Sequence, residues 1–270
     1  PVEAPAWDEC AFSLSPDGQS VLGAAVLWEP RGSKRAAGIG SLVYVVSDPA
    51  GWEYRFPGES PAYKPDGTLT FVRDGEVVEL TGYCRPRRNA PWCERVLLTS
   101  RDLFGPLRDP IGNAAVKQIA WLSPTRLVAV LALGDEEVIR VYEGRETLLT
   151  VAGVGGPFTE IAVSPRQQYA AVRVARPSGF VLIDRDARPF ALMEVRRDSE
   201  GRPPFTGGRA IAWSPDDAWT AIARRETVVL FRMGRESPDV VHIALSAHDL
   251  AWSAEGGVRD PAPDHRSSEG

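Results

Sequence analysis

Ile211-Ala212-Trp213-Ser214-Pro215-Asp216-Asp217-Ala218-Trp219-Thr220-Ala221-Ile222-Ala223 carries the organising signal of this chain. A short apolar run ends in a Ser-Pro-Asp turn, and a second apolar run leaves it. Pro presets φ for the turn, while Ser and Asp side chains hydrogen-bond the local backbone. The flanks are rich in β-branched, aromatic and alanine residues and are too short for helices, so they read as two strands of one hairpin. The unit recurs as CAFSLSPDGQSVLGAAV from Cys10, PAYKPDGTLTFV from Pro61, IAWLSPTRLVAVLAL from Ile119, IAVSPRQQYAAVRV from Ile161 and LAWSAEGG from Leu250. The turn prolines stand at 16, 65, 124, 165 and 215, with Ala254 in the sixth place, giving steps of 49, 59, 41, 50 and 39 residues. A period in the forties is that of a four-stranded propeller blade.

Working outward, each unit parses into four strands, A to D from the inner strand outward. The first four sets are 10–14, 19–28, 41–47 and 52–56; 60–64, 68–73, 75–81 and 94–99; 116–122, 125–132, 137–142 and 145–150; and 158–163, 168–174, 179–184 and 190–195. The fifth set is 209–213, 218–224, 226–232 and 239–244, and a sixth A strand is expected at 249–252. The expected fold is all-β, a propeller of four-stranded antiparallel blades with five complete repeats and a partial sixth. It is expected to be five- or six-bladed, with one domain over 1–253 and a disordered polar tail over 254–270.

Composition narrows the role. The chain has 270 residues, of which 43% are hydrophobic and 25% charged. That is an ordinary globular balance. A net charge of -5 argues against nucleic acid or anionic lipid as a bulk partner. The longest apolar run, Leu127 to Leu133, is far shorter than a membrane helix, so no insertion is expected within this chain. The chain starts at Pro1, and a signal or anchor upstream of it is an expectation that goes with an extracytoplasmic setting.

The turns resemble the propeller repeats of the TolB type, a WD-repeat-like propeller. Ala212-Trp213-Ser214-Pro215-Asp216 matches their Trp-Ser-Pro-Asp-Gly pattern well. Ser15-Pro16-Asp17-Gly18 and Lys64-Pro65-Asp66-Gly67 match it in part, while units three and four lack the Asp-Gly. The resemblance implies a non-enzymatic, extracytoplasmic platform for a protein or peptide partner, or an accessory domain of an envelope protein. Fold alone does not fix function. A propeller hydrolase or lactonase and a cytosolic interaction scaffold stand as alternatives.

Antiparallel blades put the A–B and C–D loops on one face and the B–C and D–A loops on the other. The long connections 29–40, 100–115 and 196–208 share the second face, and loops on a rigid scaffold are where binding concentrates. Their candidate binding residues are Arg31, Lys34, Arg35, Phe104, Arg108, Arg196, Arg197 and Arg202. Phe104 has a second reading, as a plug of the ring mouth. Cys84 and Cys93 bracket CRPRRNAPWC, and their expected disulfide implies an oxidising compartment. Within that loop Arg85, Arg87, Arg88 and Trp92 are candidates for an acidic partner, or a solvated stapled loop. Cys10 is expected to be a buried small hydrophobe.

Trp121, Trp213 and Trp252 occupy equivalent A-strand positions and are expected to pack between blades rather than stack on a ligand. The histidines are His242, His248 and His265, and His248-Asp249 is the site the hydrolase alternative needs. There is no G-x-S-x-G elbow, phosphate loop or zinc spacing. Lactonase-like metal sites draw on Asn, and here only Asn89 and Asn113 occur. No cofactor, metal or catalytic residue is assigned, and a monomer is expected.

Overall fold

The computed structural model describes residues 7–14, 20–27, 41–47, 52–81, 94–105, 114–176, 178–190, 206–208, 210–224, 226–234, 240–244, 250–252 and 258–259. The chain packs as two compact units, Pro1–Ala152 and Gly153–Gly270. Three blades fall in the first. Blade 1 holds β1 (Trp7–Leu14), β2 (Ser20–Leu27), β3 (Ser41–Ser47) and β4 (Trp52–Pro57). Blade 2 holds β5 (Glu59–Tyr63), β6 (Leu69–Arg73), β7 (Glu76–Leu80) and β8 (Glu94–Leu98), followed by helix α1 (Ser100–Phe104). Blade 3 holds β9 (Ala114–Trp121), β10 (Arg126–Leu133), β11 (Glu136–Glu143) and β12 (Glu146–Val151).

The second unit opens with blade 4, made of β13 (Phe158–Val163), β14 (Tyr169–Val174), β15 (Gly179–Asp184) and β16 (Pro189–Phe190). The short β17 (Thr206–Gly207) also pairs with β15, so two pieces share the outer position of this blade. Blade 5 holds β18 (Ala210–Trp213), β19 (Trp219–Ala223), β20 (Val228–Arg232) and β21 (Val240–Ile243). The sixth sheet is a hairpin of β22 (Ala251–Trp252) and β23 (Val258–Arg259), so pairing continues into the stretch read as a polar tail. Every pairing is antiparallel between neighbours in sequence, β17 excepted, as hairpin repeats dictate.

Side-chain alternation explains how each blade buries two faces. In β6, Val72 points to a core shared with blade 3, while Leu69 and Phe71 point to the opposite face with Tyr63, Val78 and Leu80. The shared core joins Ala62, Val77 and Leu98 of blade 2 to Trp121, Leu127, Leu131, Val138 and Tyr142 of blade 3. β10 is buried on both faces from Leu127 to Ala132, which accounts for its unbroken apolar run.

In the second unit, Phe180 and Leu182 of blade 4 meet Trp213, Ile222, Val229 and Phe231 of blade 5. The other face of blade 5 offers Ala212, Ala221, Ala223 and Val228 to Leu250 and Trp252. Gly208, just before β18, enters this packing where no side chain fits. A Cβ there would clash with Ile222 Cγ2 and lie 3.2 Å from Phe180 Cε2 and 3.3 Å from the Ala223 carbonyl. Gly208→Ala is therefore expected to cost about 2 kcal/mol, as overpacked cores do, read as a lower denaturant midpoint at unchanged slope.

Candidate interaction surfaces

The A–B turns of blades 2, 4 and 5 are built alike, and each holds one residue at positive φ, whereas the shorter turn of blade 3 between Leu122 and Arg126 holds none. In blade 2 the Gly67 amide donates to the Lys64 carbonyl at 2.9 Å, with Gly67 at φ +83°. In blade 4 the equivalent residue is Gln167, at φ +57°, and in blade 5 it is Asp217, at φ +58°. The loss of Gly from these two turns therefore changed the residue and left the conformation in place. Ser164 and Ser214 close their turns: Trp219 N donates to Ser214 Oγ at 2.8 Å, and Tyr169 N donates to Ser164 Oγ at 3.1 Å.

Asp217 does more than turn the chain. Its carboxylate is buried and reaches back into the blade 4 turn, where it accepts from Ser164 Oγ at 2.5 Å, Arg166 N at 3.0 Å and Gln168 N at 3.2 Å. One side chain thus pins two neighbouring turns on the same face. The adjacent Asp216 is exposed and accepts from Ser214 Oγ at 2.6 Å and Ala218 N at 3.0 Å. These bonds, the Ser214 hydroxyl first, hold its carboxyl below the usual carboxylate range. A depressed pKa contributes stability that is present above the unfolded value and lost as pH falls through the folded one. Asp216→Asn is expected to flatten that acid limb in unfolding titrations, with the neutral-pH stability lowered toward the low-pH value.

The aromatic residues that end the A strands form the second recurring feature. Tyr63, Trp121 and Trp213 each precede the residue whose amide closes the turn. Trp121 and Trp213 face the preceding blade, Trp252 packs back onto blade 5 in the same sense, and Tyr63 packs on Leu69, Phe71, Val78 and Leu80 of its own blade. The expectation of inter-blade packing is met. Trp121 Nε1 donates to Thr70 Oγ1 at 2.8 Å, and Thr70 Oγ1 donates to the Ala62 carbonyl at 2.8 Å. Counting from the turn-closing residues Thr68 and Tyr169, the position of Thr70 is Ala171 in blade 4. Alanine has no acceptor to offer, and the buried Trp213 Nε1 has no hydrogen-bond partner. Ala171→Ser is expected to raise stability by about 1 kcal/mol, the worth of one such bond, in a thermal melt. Ala171→Val is expected to give no such gain.

Blade 2 replaces the turn serine by Lys64. Its ammonium donates to Glu79 Oε1 at 2.8 Å and sits 5.2 Å from the centre of the Trp121 ring. The other oxygen of Glu79 takes Arg95 from β8. The lysine and glutamate side chains are 11% and 4% exposed, whereas Arg95 is 63% exposed. This is an internal ion pair with one solvent-facing partner.

Helix α1 corrects the reading of 100–115 as an open loop. Thr99 and Asp102 form a capping box, with the Asp102 carboxylate accepting from Thr99 N at 2.8 Å. At the other end the Leu103 carbonyl accepts from Tyr142 OH at 2.9 Å and Arg140 Nη1 at 2.5 Å. The S/T-x-x-D pattern at Thr99 was the signal for this turn of helix. Phe104 packs against the core shared by blades 2 and 3 and is only half-buried there.

The exposed large hydrophobics among the described residues are Val96, Leu148, Val241 and Ile243, and all four lie on outermost strands. β8 and β12 are irregular at that point. Register shifts leave Leu97 opposite no residue of β7 and Leu148 opposite none of β11. Bulges and charges such as Glu94, Arg95 and Glu146 are the usual protection of sheet edges. β21 pairs regularly along its whole length and has no charged residue. His242 is exposed on this strand.

The other candidates lie outside the described residues. These are Arg31, Lys34, Arg35, Arg108, Arg196, Arg197, Arg202, Arg85, Arg87, Arg88, Trp92, Cys84 and Cys93, together with His248-Asp249, His265, Asn89 and Asn113. Among the described residues no three His, Cys, Asp or Glu side chains group to hold a metal, and no helix is long and apolar enough to cross a membrane.

No protein-family model and no curated protein matches the sequence. Solved structures match its fold. Sqt1 from Chaetomium thermophilum aligns at 14% identity over 91% of this chain with a TM-score of 0.52. This chain spans 65% of that one, somewhat less than two thirds. The β-propeller domain of Cps50 (Swd1) from Myceliophteria thermophila aligns at 11% identity over 92% of this chain and 93% of that one, with a TM-score of 0.47. The fold is all-β, a β-propeller of four-stranded antiparallel blades.

Proposed function

We propose that this chain is a protein- or peptide-binding platform without chemistry of its own, a TolB-like propeller that works outside the cytoplasm. The observation that carries the reading is the placement of its exposed apolar side chains. Val96, Leu148, Val241 and Ile243 all stand on the outer strands of a rigid β scaffold, where a partner can reach them. The loop residues Arg196, Arg197 and Arg202, with Arg31, Lys34 and Arg35, belong to the proposal as candidate polar contacts read from the sequence. The extracytoplasmic setting rests on the spacing of Cys84 and Cys93.

Photo-cross-linkers placed at position 96, 148 or 241 of the full chain are expected to trap one recurrent partner in native cells. Trapping no specific partner at any of them would remove the reading. An ester and lactone screen is expected to show no turnover, and metal-dependent turnover would transfer the function to the hydrolase alternative. Thiol labelling with mass spectrometry, before and after reduction, decides the compartment. A linked Cys84–Cys93 peptide is expected, whereas free thiols at both positions would favour the cytosolic scaffold.

A further inference from the structure

We infer that the first strands of blades 2 and 3 form a receptor for the amino-terminal residue of a peptide, with Glu59 taking its ammonium and Lys117 its carbonyl oxygen. The inference rests on the platform reading and names the part of the partner that is recognised.

Both strands are bulged where they meet. In β5, Ser60 and Pro61 together stand opposite Phe71, between the pairs Glu59–Val72 and Ala62–Thr70. In β9, Lys117 is the extra residue between Val116, opposite Leu131, and Gln118, opposite Val130. An extra residue leaves the ladder and re-aims the side chains around it. The bulge in β5 is strained. Ser60 sits at φ +48°, a conformation that residues with a side chain rarely adopt. Gly58 lets the chain lie on Phe71, since a Cβ there would stand 2.5 Å from Phe71 Cδ2. The two bulges are joined, because Ser60 Oγ donates to the Lys117 carbonyl at 2.5 Å.

That bond fixes the backbone that carries two opposite charges. Glu59 is half-buried and Lys117 is exposed. Burial pushes the Glu59 carboxyl above the usual carboxylate range, and the Lys117 ammonium draws it partly back, so each charge acts on the other. The two are not joined in an ion pair. A group placed between them has to donate to the carboxylate and accept from the ammonium. The first residue of a peptide does both, with its ammonium and carbonyl oxygen about 3 Å apart. Its charged amine makes a stronger bond to a carboxylate than the N–H of an internal peptide group does. A carboxyl terminus suits Lys117 but is repelled by Glu59. Capture of a terminal amine is an established mode of peptide recognition.

The probe is tetra-alanine amide, with a free amino terminus or N-acetylated, titrated into the full-length protein and read from the amide chemical shifts of Ser60 and Lys117. The free-amine peptide is expected to bind saturably, and the acetylated form at least tenfold more weakly. Glu59→Gln is expected to weaken the free-amine peptide at least tenfold, and Lys117→Met severalfold. Glu59→Gln keeps the side chain's size and removes a charge that burial disfavours, so its melting temperature is expected to equal or exceed that of the wild type. A lower melting temperature with unchanged binding makes Glu59 a structural residue and overturns the site. No binding, or equal binding of the two peptides, overturns it as well. L-alanine amide bound as tightly as the tetrapeptide would assign the site to free amino-acid derivatives and not to a peptide end. If the peptides fail while cross-linkers at 96, 148 or 241 still trap a partner, the platform reading stands and this receptor falls.

Discussion

Glu79→Gln lowers the stability of the protein by about 3 kcal/mol, because it leaves a buried ammonium without its counter-charge. Lys64 is nearly enclosed and has Glu79 at 2.8 Å, with the Trp121 ring centre at 5.2 Å and Asp66 as a weaker charge partner. The ring face attracts the cation but supplies only part of what the carboxylate gave. Replacing both partners, Lys64→Met with Glu79→Leu, is expected to restore most of the loss. Two charges and their desolvation penalties then leave together, and Arg95, 63% exposed, turns to water. Urea titrations of wild type, both single substitutions and the double substitution measure the cycle. A double variant as unstable as Glu79→Gln would show that the pair is not the source of the effect.

Asp217→Ala is expected to cost a further sizeable amount, about 3 kcal/mol, since two amides and a hydroxyl lose an ionised acceptor. For a chain of this size that is a melting shift of roughly 6–12 °C. Two substitutions separate the carboxylate from the backbone. Asp217→Gly loses the same bonds but accepts φ +58° without strain, so it is expected to fall less far than alanine. Asp217→Asn tolerates the left-handed backbone and keeps one acceptor oxygen, and is expected to lose least. If Gly and Asn melt together above Ala, the three hydrogen bonds contribute little and turn strain dominates.

The blades were legible because their turn chemistry repeats. Expected strands such as 41–47, 158–163 and 179–184 coincide with β3, β13 and β15. What could not be read was whatever depended on residues distant in sequence. Asp217 looks like one more turn aspartate, and only the neighbouring turn reveals its three donors. Lys64 looks like a poor match to serine until Glu79, on the next strand but one, is placed beside it. Helix α1 was masked by the Gly and Pro that follow it, although its capping box stands at Thr99. The candidate surface was missed for a different reason. The positively charged loops drew the reading, while Val241 and Ile243 look in sequence like any pair of core strand residues.

The backward-facing aromatics give the molecule a direction in time. Trp121, Trp213 and Trp252 each cover the blade that precedes them. During synthesis, then, a blade with all four strands made still has an open face until the strands of its successor follow. The face of blade 2 is closed by Trp121, by Leu127 and Leu131 of β10, and by Val138 and Tyr142 of β11. Released chains that end before Ala114 and after Val151 should separate sharply in protease, with the shorter cut between Glu59 and Leu98 and the longer one protected.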